Sequence, residues 1–178
     1  FPYTPIANPR WMTEGWTFGI NAEDMQDVVN KARQEGAECV VVLSHNGMDV
    51  DLKMAAQVTG IDAIMGGHTH DAIPHPTMVK NGGGKTIVTN AGSNTKYLGV
   101  LDMDFKNGKL QDFTYHLLRV FADFIEPDKE MQALIDKLLN HDVTFQGNTF
   151  NVKNRYDEVV ATEGLLYRRG NFDGTWDQ

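Results

Sequence analysis

Two histidines set one residue apart are the side chains of this chain best placed to do chemistry. They lie in Met65-Gly66-Gly67-His68-Thr69-His70-Asp71. Neutral imidazole binds zinc-like and manganese-like ions well. The run from Asp62 to Met65 reads as a short buried strand that Gly66-Gly67 ends. Two residues without Cβ atoms let the backbone turn sharply and come close to a ligand. A second stretch repeats the pattern. Val40-Val41-Val42-Leu43 is an apolar strand running into Ser44-His45-Asn46-Gly47. Ligands of open α/β sheets bind beyond the carboxyl ends of strands. If the two strands lie side by side in parallel, His45, His68 and His70 converge at one rim. An ordinary loop with two solvent-facing histidines competes for His68 and His70 alone, and the repeated strand-then-histidine pattern weighs against it.

The elements that must position these residues read as β-α-β. Asn21 is placed to cap a helix, with Glu23 and Asp24 near its positive end. Met25, Val28, Val29 and Ala32 give that helix an apolar stripe, and Gly36 stops it. Asp51 is placed to cap a second helix carrying Leu52, Ala55, Ala56 and Val58, closed by Gly60. Strand, helix and strand in this order favour parallel pairing with a right-handed crossover. After Pro74 and Pro76 the period changes. Thr77 to Lys80 and Lys85 to Thr89 flank Asn81-Gly82-Gly83-Gly84, while Val100 to Phe105 and Leu110 to Leu118 flank Lys106-Asn107-Gly108-Lys109. Both are hairpin signals, so this half is expected to be antiparallel. Pro127 is expected to open a helix with Met131, Leu134, Ile135 and Leu138 on its apolar stripe. Residues 141–154 show no pattern, and the run from Arg155 to Thr162 reads as a strand.

Composition bounds the function classes. The chain has 178 residues, 41% of them hydrophobic, enough for one domain or parts of two. Twenty-four acids against 16 bases give a net charge of -8. Phosphate backbones want basic patches, which argues against a nucleic-acid partner. No apolar run is long enough to span a membrane. The one cysteine, Cys39, permits no intrachain disulfide and is expected to be a buried, inert thiol. Both ends look cut, so the chain is expected to be an internal part of a longer protein. Asp49, Asp51 and Asp71 read as helix caps or as partners that orient imidazoles. Asn46 is placed to hydrogen-bond a substrate or to close its loop. Three imidazoles suffice for one ion. Hydrolysis at phosphorus or sulfur is often run by two, and a pair needs more ligands than these motifs offer.

Ser44-His45-Asn46-Gly47 followed by Gly67-His68-Thr69-His70 resembles the calcineurin-like metallophosphoesterases, in particular their 5'-nucleotidase branch. Ala91-Gly92 and Lys96-Tyr97-Leu98-Gly99 continue the likeness. Three longer stretches resemble the SoxB thiosulfohydrolases of bacterial sulfur oxidation within that branch. They are residues 1–9, His45 to Asp51, and Leu166-Tyr167-Arg168-Arg169-Gly170-Asn171-Phe172. Asp173 departs from the Asn expected there.

The resemblance implies an α/β fold that is part of a four-layer α/β/β/α sandwich. Residues 1–119 would be the second half of that domain, 120–154 a linking helix with an irregular connection, and 155–178 the start of a smaller C-terminal domain. It implies a dinuclear manganese hydrolase, with zinc or another divalent ion as alternatives. His45 and His68 would bind one ion and His70 the other. The family's other ligands and its catalytic histidine have no counterpart here and would lie upstream, leaving this stretch inactive by itself. The implied reaction releases sulfate from a sulfonated cysteine on the arm of a SoxYZ-like carrier protein in the periplasm. Arg169, Arg168, Asn171 and Asn46 would then contact the substrate; only one of two adjacent strand residues faces a pocket, and Arg169 is placed ahead of Arg168 because it adjoins the Gly170-Asn171 turn. Two other classes stay open. One is a 5'-nucleotidase or other phosphoesterase, for which Phe172 and Trp176 could stack a base. The other is a non-catalytic metal-binding module.

Overall fold

The computed structural model describes residues 4–159. These form a mixed α/β fold in two compact units divided between Ala122 and Asp123.

In the first unit, a short helix α1 (Thr4–Ala7) and a 3-10 turn (Arg10–Met12) lead into α2 (Ala22–Gln34). Strand β1 (Val41–Leu43), helix α3 (Met48–Gln57) and strand β2 (Ala63–Gly66) follow, and β1 and β2 pair in parallel, Val42 opposite Ile64. The β3 (Thr77–Asn81) and β4 (Gly84–Asn90) hairpin folds onto this pair, giving the order β1-β2-β4-β3. β4 is antiparallel to β3 but parallel to β2, so the second half is not purely antiparallel. Its last five residues, Thr86 to Asn90, are all buried, as befits a strand with neighbours on both edges and cover on both faces.

One face of the sheet carries Val42, Ile64, Val88 and Val79, and packs against Val29 of α2, Met54 and Ala55 of α3, and Val58 just beyond its end. The opposite face is more open: Val41, Leu43, Met65 and Met78 are exposed, Leu43 at 81%. The Val40 to Leu43 run is therefore not the fully buried strand its composition suggests. Among the described residues it pairs on one side only, with β2, and only its alternate residues face the helices. Cys39, just outside it, is exposed rather than buried.

Helix α2 corrects two further expectations. Asn21 occupies the N-cap of α2 but is left-handed (φ 46°) and makes no side-chain cap bond. Val28 on the expected stripe is 63% exposed, while Val29 is buried. Gly36 does stop the helix: Ala37 N–H donates to Ala32 O and Gly36 N–H to Arg33 O, the Schellman pattern. The long hairpin β5 (Tyr97–Lys106) and β6 (Lys109–Arg119) turns on left-handed Asn107 and Gly108, as a two-residue type I′ turn requires.

In the second unit, α4 (Lys129–Leu139) starts two residues later than Pro127 suggests. Asp128 is the N-cap, its side chain accepting from Met131 N–H at 2.8 Å. Asp128→Ala should cost this unit about 1 kcal/mol, read as a lowered urea midpoint. The patternless stretch holds a hairpin, β7 (Asp142–Phe145) and β8 (Asn148–Asn151), around left-handed Gln146-Gly147. The run expected as a strand from Arg155 instead begins inside α5 (Val152–Asp157), capped by Asn151 and tied to α4 by Lys153–Asp136 at 2.6 Å. Local capping overrode the strand-like composition there.

Candidate metal centre

The parallel pairing of β1 and β2 places the loops after both strands at one end of the sheet. His45 follows β1 and His68 follows β2. Their rings meet edge to face, centroids 5.2 Å apart. This is the convergence that the strand-then-histidine pattern implies for these two residues.

Gly66 and Gly67 make it possible, and not by turning the chain. Neither has a positive φ; the left-handed residues of the loop are His68 (φ 72°) and His70 (φ 58°). The glycines matter for close approach. A Cβ on Gly66 would lie 2.6 Å from Asp51 Oδ2 and 3.1 Å from Thr89 O. A Cβ on Gly67 would lie 3.3 Å from His45 Nδ1. Any side chain there would push the two histidine loops apart.

Polar side chains tie the loops down. Ser44 Oγ donates to Asp51 Oδ1 at 2.5 Å and accepts from Asn46 N–H at 3.2 Å. In the second loop Thr69 Oγ1 donates to Asp71 Oδ2 at 2.6 Å and accepts from Met48 N–H at 3.2 Å, fastening the loop to the start of α3. Asn90, buried at the end of β4, donates to Gly67 O at 3.3 Å. Asp71 O accepts from Gly92 N–H at 2.8 Å. Thr69, Asn90 and Ser44 are parts of the site that residue-type reasoning passed over, since hydroxyls and amides carry no metal signature of their own.

Asp51 is not a helix cap. Gly47 is the N-cap of α3, and Asp51 lies a full turn in, its N–H donating to Gly47 O and its carboxyl turned inward. The residue is fully buried. Burial holds its carboxyl above the usual carboxylate range, opposed by the Ser44 hydroxyl. Asp71, by contrast, is half-buried and serves the loop through Thr69.

The donor chemistry suits a divalent ion of the manganese or zinc kind, but only in part. Two imidazoles are half of a four-coordinate shell. Among the described residues, no three His, Cys, Asp or Glu side chains gather closely enough to hold an ion. His70 is exposed and is not gathered with the other two into such a group. Asn46 is half-buried in the same loop as His45. Arg168, Arg169 and Asn171, the expected anion contacts, lie outside the described residues, as do Phe172 and Trp176. No helix among the described residues is long and apolar enough to cross a membrane.

No protein-family model matches the chain. Individual proteins do. The snake venom 5'-nucleotidase of Crotalus adamanteus is 27% identical over 151 residues, 76% of this chain and 25% of that protein. The structure of Thermus thermophilus sulfate thiohydrolase SoxB, in complex with glycerol, superposes with a TM-score of 0.68 at 34% identity, covering 78% of this chain and 25% of that one. A 5'-nucleotidase precursor, also from Thermus thermophilus, superposes with a TM-score of 0.58 at 30% identity, covering 66% and 27%. The chain thus spans about a quarter of the length of each relative. Sequence and structure agree on the kinship, and the chain belongs to the SoxB-like 5'-nucleotidase family of hydrolases.

Proposed function

We propose that this chain contributes half of a dinuclear metal centre to a sulfate thiohydrolase, a hydrolase that releases sulfate from a cysteine-S-sulfonated carrier protein. The observation that carries the proposal is the likeness to SoxB, at 34% identity over 78% of the chain. In this reading His45 and His68 present ring nitrogens to one ion, His70 serves the other, and the remaining ligands and the catalytic histidine come from outside these residues. Manganese is the proposed metal. When bound, divalent ions lower the pKa of a coordinated water and stabilise developing oxyanions. The chain's own residues orient that chemistry. Ser44 and Thr69 fix the two histidine loops, and Asn46 stands beside His45 to bond the substrate. Arg169, with Arg168 and Asn171, supplies positive and polar donors to the sulfonate oxygens. A periplasmic location, where such carriers would be met, goes with the proposal.

A 5'-nucleotidase is the second reading, favoured by the curated sequence relatives. One assay separates them. Full-length protein loaded with manganese is offered a cysteine-S-sulfonated carrier peptide and, separately, a nucleoside 5'-monophosphate. Sulfate release from the first, with little phosphate from the second, is the expected result; the reverse preference would replace the proposal with the nucleotidase reading. Arg169→Ala should lower kcat/KM for the sulfonated peptide about ten- to a hundredfold without changing metal content, since a charge-assisted hydrogen bond contributes about 1.5–3 kcal/mol. Equal losses for Arg168→Ala would point to general charge steering.

A further inference from the structure

We infer that Asp51 is a positioning residue for the metal centre, a buried strut that sets the spacing of His45 and His68 without touching the ion. The inference rests on the metal reading of those two histidines given above. Three observations support it.

The first is where the carboxyl sits. Asp51 belongs to α3, yet each of its oxygens faces a different histidine loop. Oδ1 accepts from Ser44 Oγ, one residue before His45. Oδ2 lies against Gly66, two residues before His68, at 2.6 Å from where a Cβ would stand. One fully buried side chain therefore spans both loops.

The second is how the contact reaches His45. Ser44 Oγ donates to Asp51 and accepts from Asn46 N–H, so it holds the backbone on both sides of His45. Removing Asp51 would free this hydroxyl to rotate, and with it the anchor of the loop.

The third is the cost of the arrangement. Asp51 Oδ2 is buried with no hydrogen-bond partner among the described residues. Leaving a buried oxygen without a partner is destabilising. For packing alone, an apolar residue of similar size between α3 and Gly66 would avoid that cost. An acceptor for Ser44 gives the carboxyl a reason to be there, and that reason bears on the loop that carries His45. Groups that orient metal-bound histidines from behind typically change metal affinity about 10–100-fold when removed.

The test uses the full-length protein and two readouts. One is the side-chain nitrogen and carbon NMR of the six histidines that lie within this chain, in metal-free protein. The other is calorimetric titration with manganese. Ser44→Ala and Asp51→Ala should shift the ring signals of His45 and His68, leave those of His116 and His141 in place, and weaken manganese binding about tenfold or more. Asp51→Asn keeps both the volume and an acceptor for Ser44, and should stay within about threefold of wild type. Thr86→Ala is the control for general softening. Thr86 is equally buried and donates to Ile61 O at 2.8 Å, in β4 but away from the loops. Should Asp51→Ala not fold, Ser44→Ala carries the test. Unmoved His45 and His68 signals in Ser44→Ala would overturn the inference, and so would an equal loss of manganese affinity in Thr86→Ala. Wild type that takes up no manganese would defeat the metal reading instead, and the NMR comparison would still decide whether Asp51 spaces the two imidazoles.

Discussion

Gly66→Ala is expected to destabilise the first unit by about 3 kcal/mol or more and to lower its Tm by roughly 6–12 °C. The reason is geometric. Gly66 is the last residue of β2 and faces α3, two residues beyond the buried Ile64. A methyl group there meets a carboxylate oxygen of Asp51 at 2.6 Å and the backbone oxygen of Thr89 at 3.1 Å. Neither neighbour is the loose end of a long side chain. One is a buried carboxyl held by Ser44, and the other is part of the central strand. Relief therefore requires α3 to move off the sheet. Gly82→Ala is the matched control: no atom lies within 4 Å of its Cβ position and its φ is not left-handed. It should change stability by no more than about 0.5 kcal/mol. Equal effects at Gly66 and Gly82 in thermal unfolding would contradict the packing described for β2 and α3.

His45→Ala is expected to lower kcat/KM of the metal-loaded, full-length enzyme by about a hundredfold or more while Tm falls little. His45 is exposed and lies in a loop, so its truncation removes almost no core packing. It does remove one of the two imidazoles that the fold brings to 5.2 Å. Metal chemistry of this kind contributes several kcal/mol to a hydrolytic barrier, and each 1.36 kcal/mol is about a tenfold change in rate. His45 is a cleaner choice than His68, whose left-handed φ of 72° would add backbone strain to any alanine variant. His116, on β6, should tolerate the same change without loss of activity. A His45→Ala enzyme with wild-type turnover would remove this residue from the chemistry.

The parallel pairing of β1 and β2 is legible in the sequence because each strand announces itself twice, by an apolar run and by the helix that must connect them. The convergence of His45 with His68 follows from that pairing alone. Both hairpins of the first unit are legible for a different reason: Asn-Gly and Gly-rich turns are local and need no tertiary information. What escapes reading depends on the partner across space. Val41 and Leu43 are as apolar as Val42, and only the placement of α2 and α3 on one face of the sheet decides which of them is covered. Asp51 looks like a helix cap from its neighbours in sequence, and its burial is visible only once α3 is laid over Gly66. The β7–β8 hairpin does alternate, with Val143, Phe145 and Phe150 on one face and Asp142, Thr144, Thr149 and Asn151 on the other, but each strand is only four residues long, too short for the period to stand out beside the turn at Gln146-Gly147.

The glycine pair shows how a correct residue can be read for a partly wrong reason. From sequence, Gly66-Gly67 read as a sharp turn and a close approach to a ligand, yet the left-handed conformations fall on His68 and His70. The glycines are needed because α3 and the His45 loop pass within a methyl group of them. Sequence identifies such a position as glycine, and only packing says whether the demand is on φ or on space.

Metal content per chain is the measurement that bears most directly on the central claim, that His45 and His68 together hold a divalent ion in a hydrolase. Full-length protein and a variant with both histidines replaced by asparagine would be purified in parallel, equilibrated with manganese, desalted and analysed for bound metal. Asparagine keeps the left-handed φ of residue 68 accessible, and circular dichroism would establish that both proteins are folded. The expected result is stoichiometric metal in the wild type and loss of at least one ion per chain in the variant. Equal metal in the two proteins would place the ions on other residues and contradict the assignment of His45 and His68.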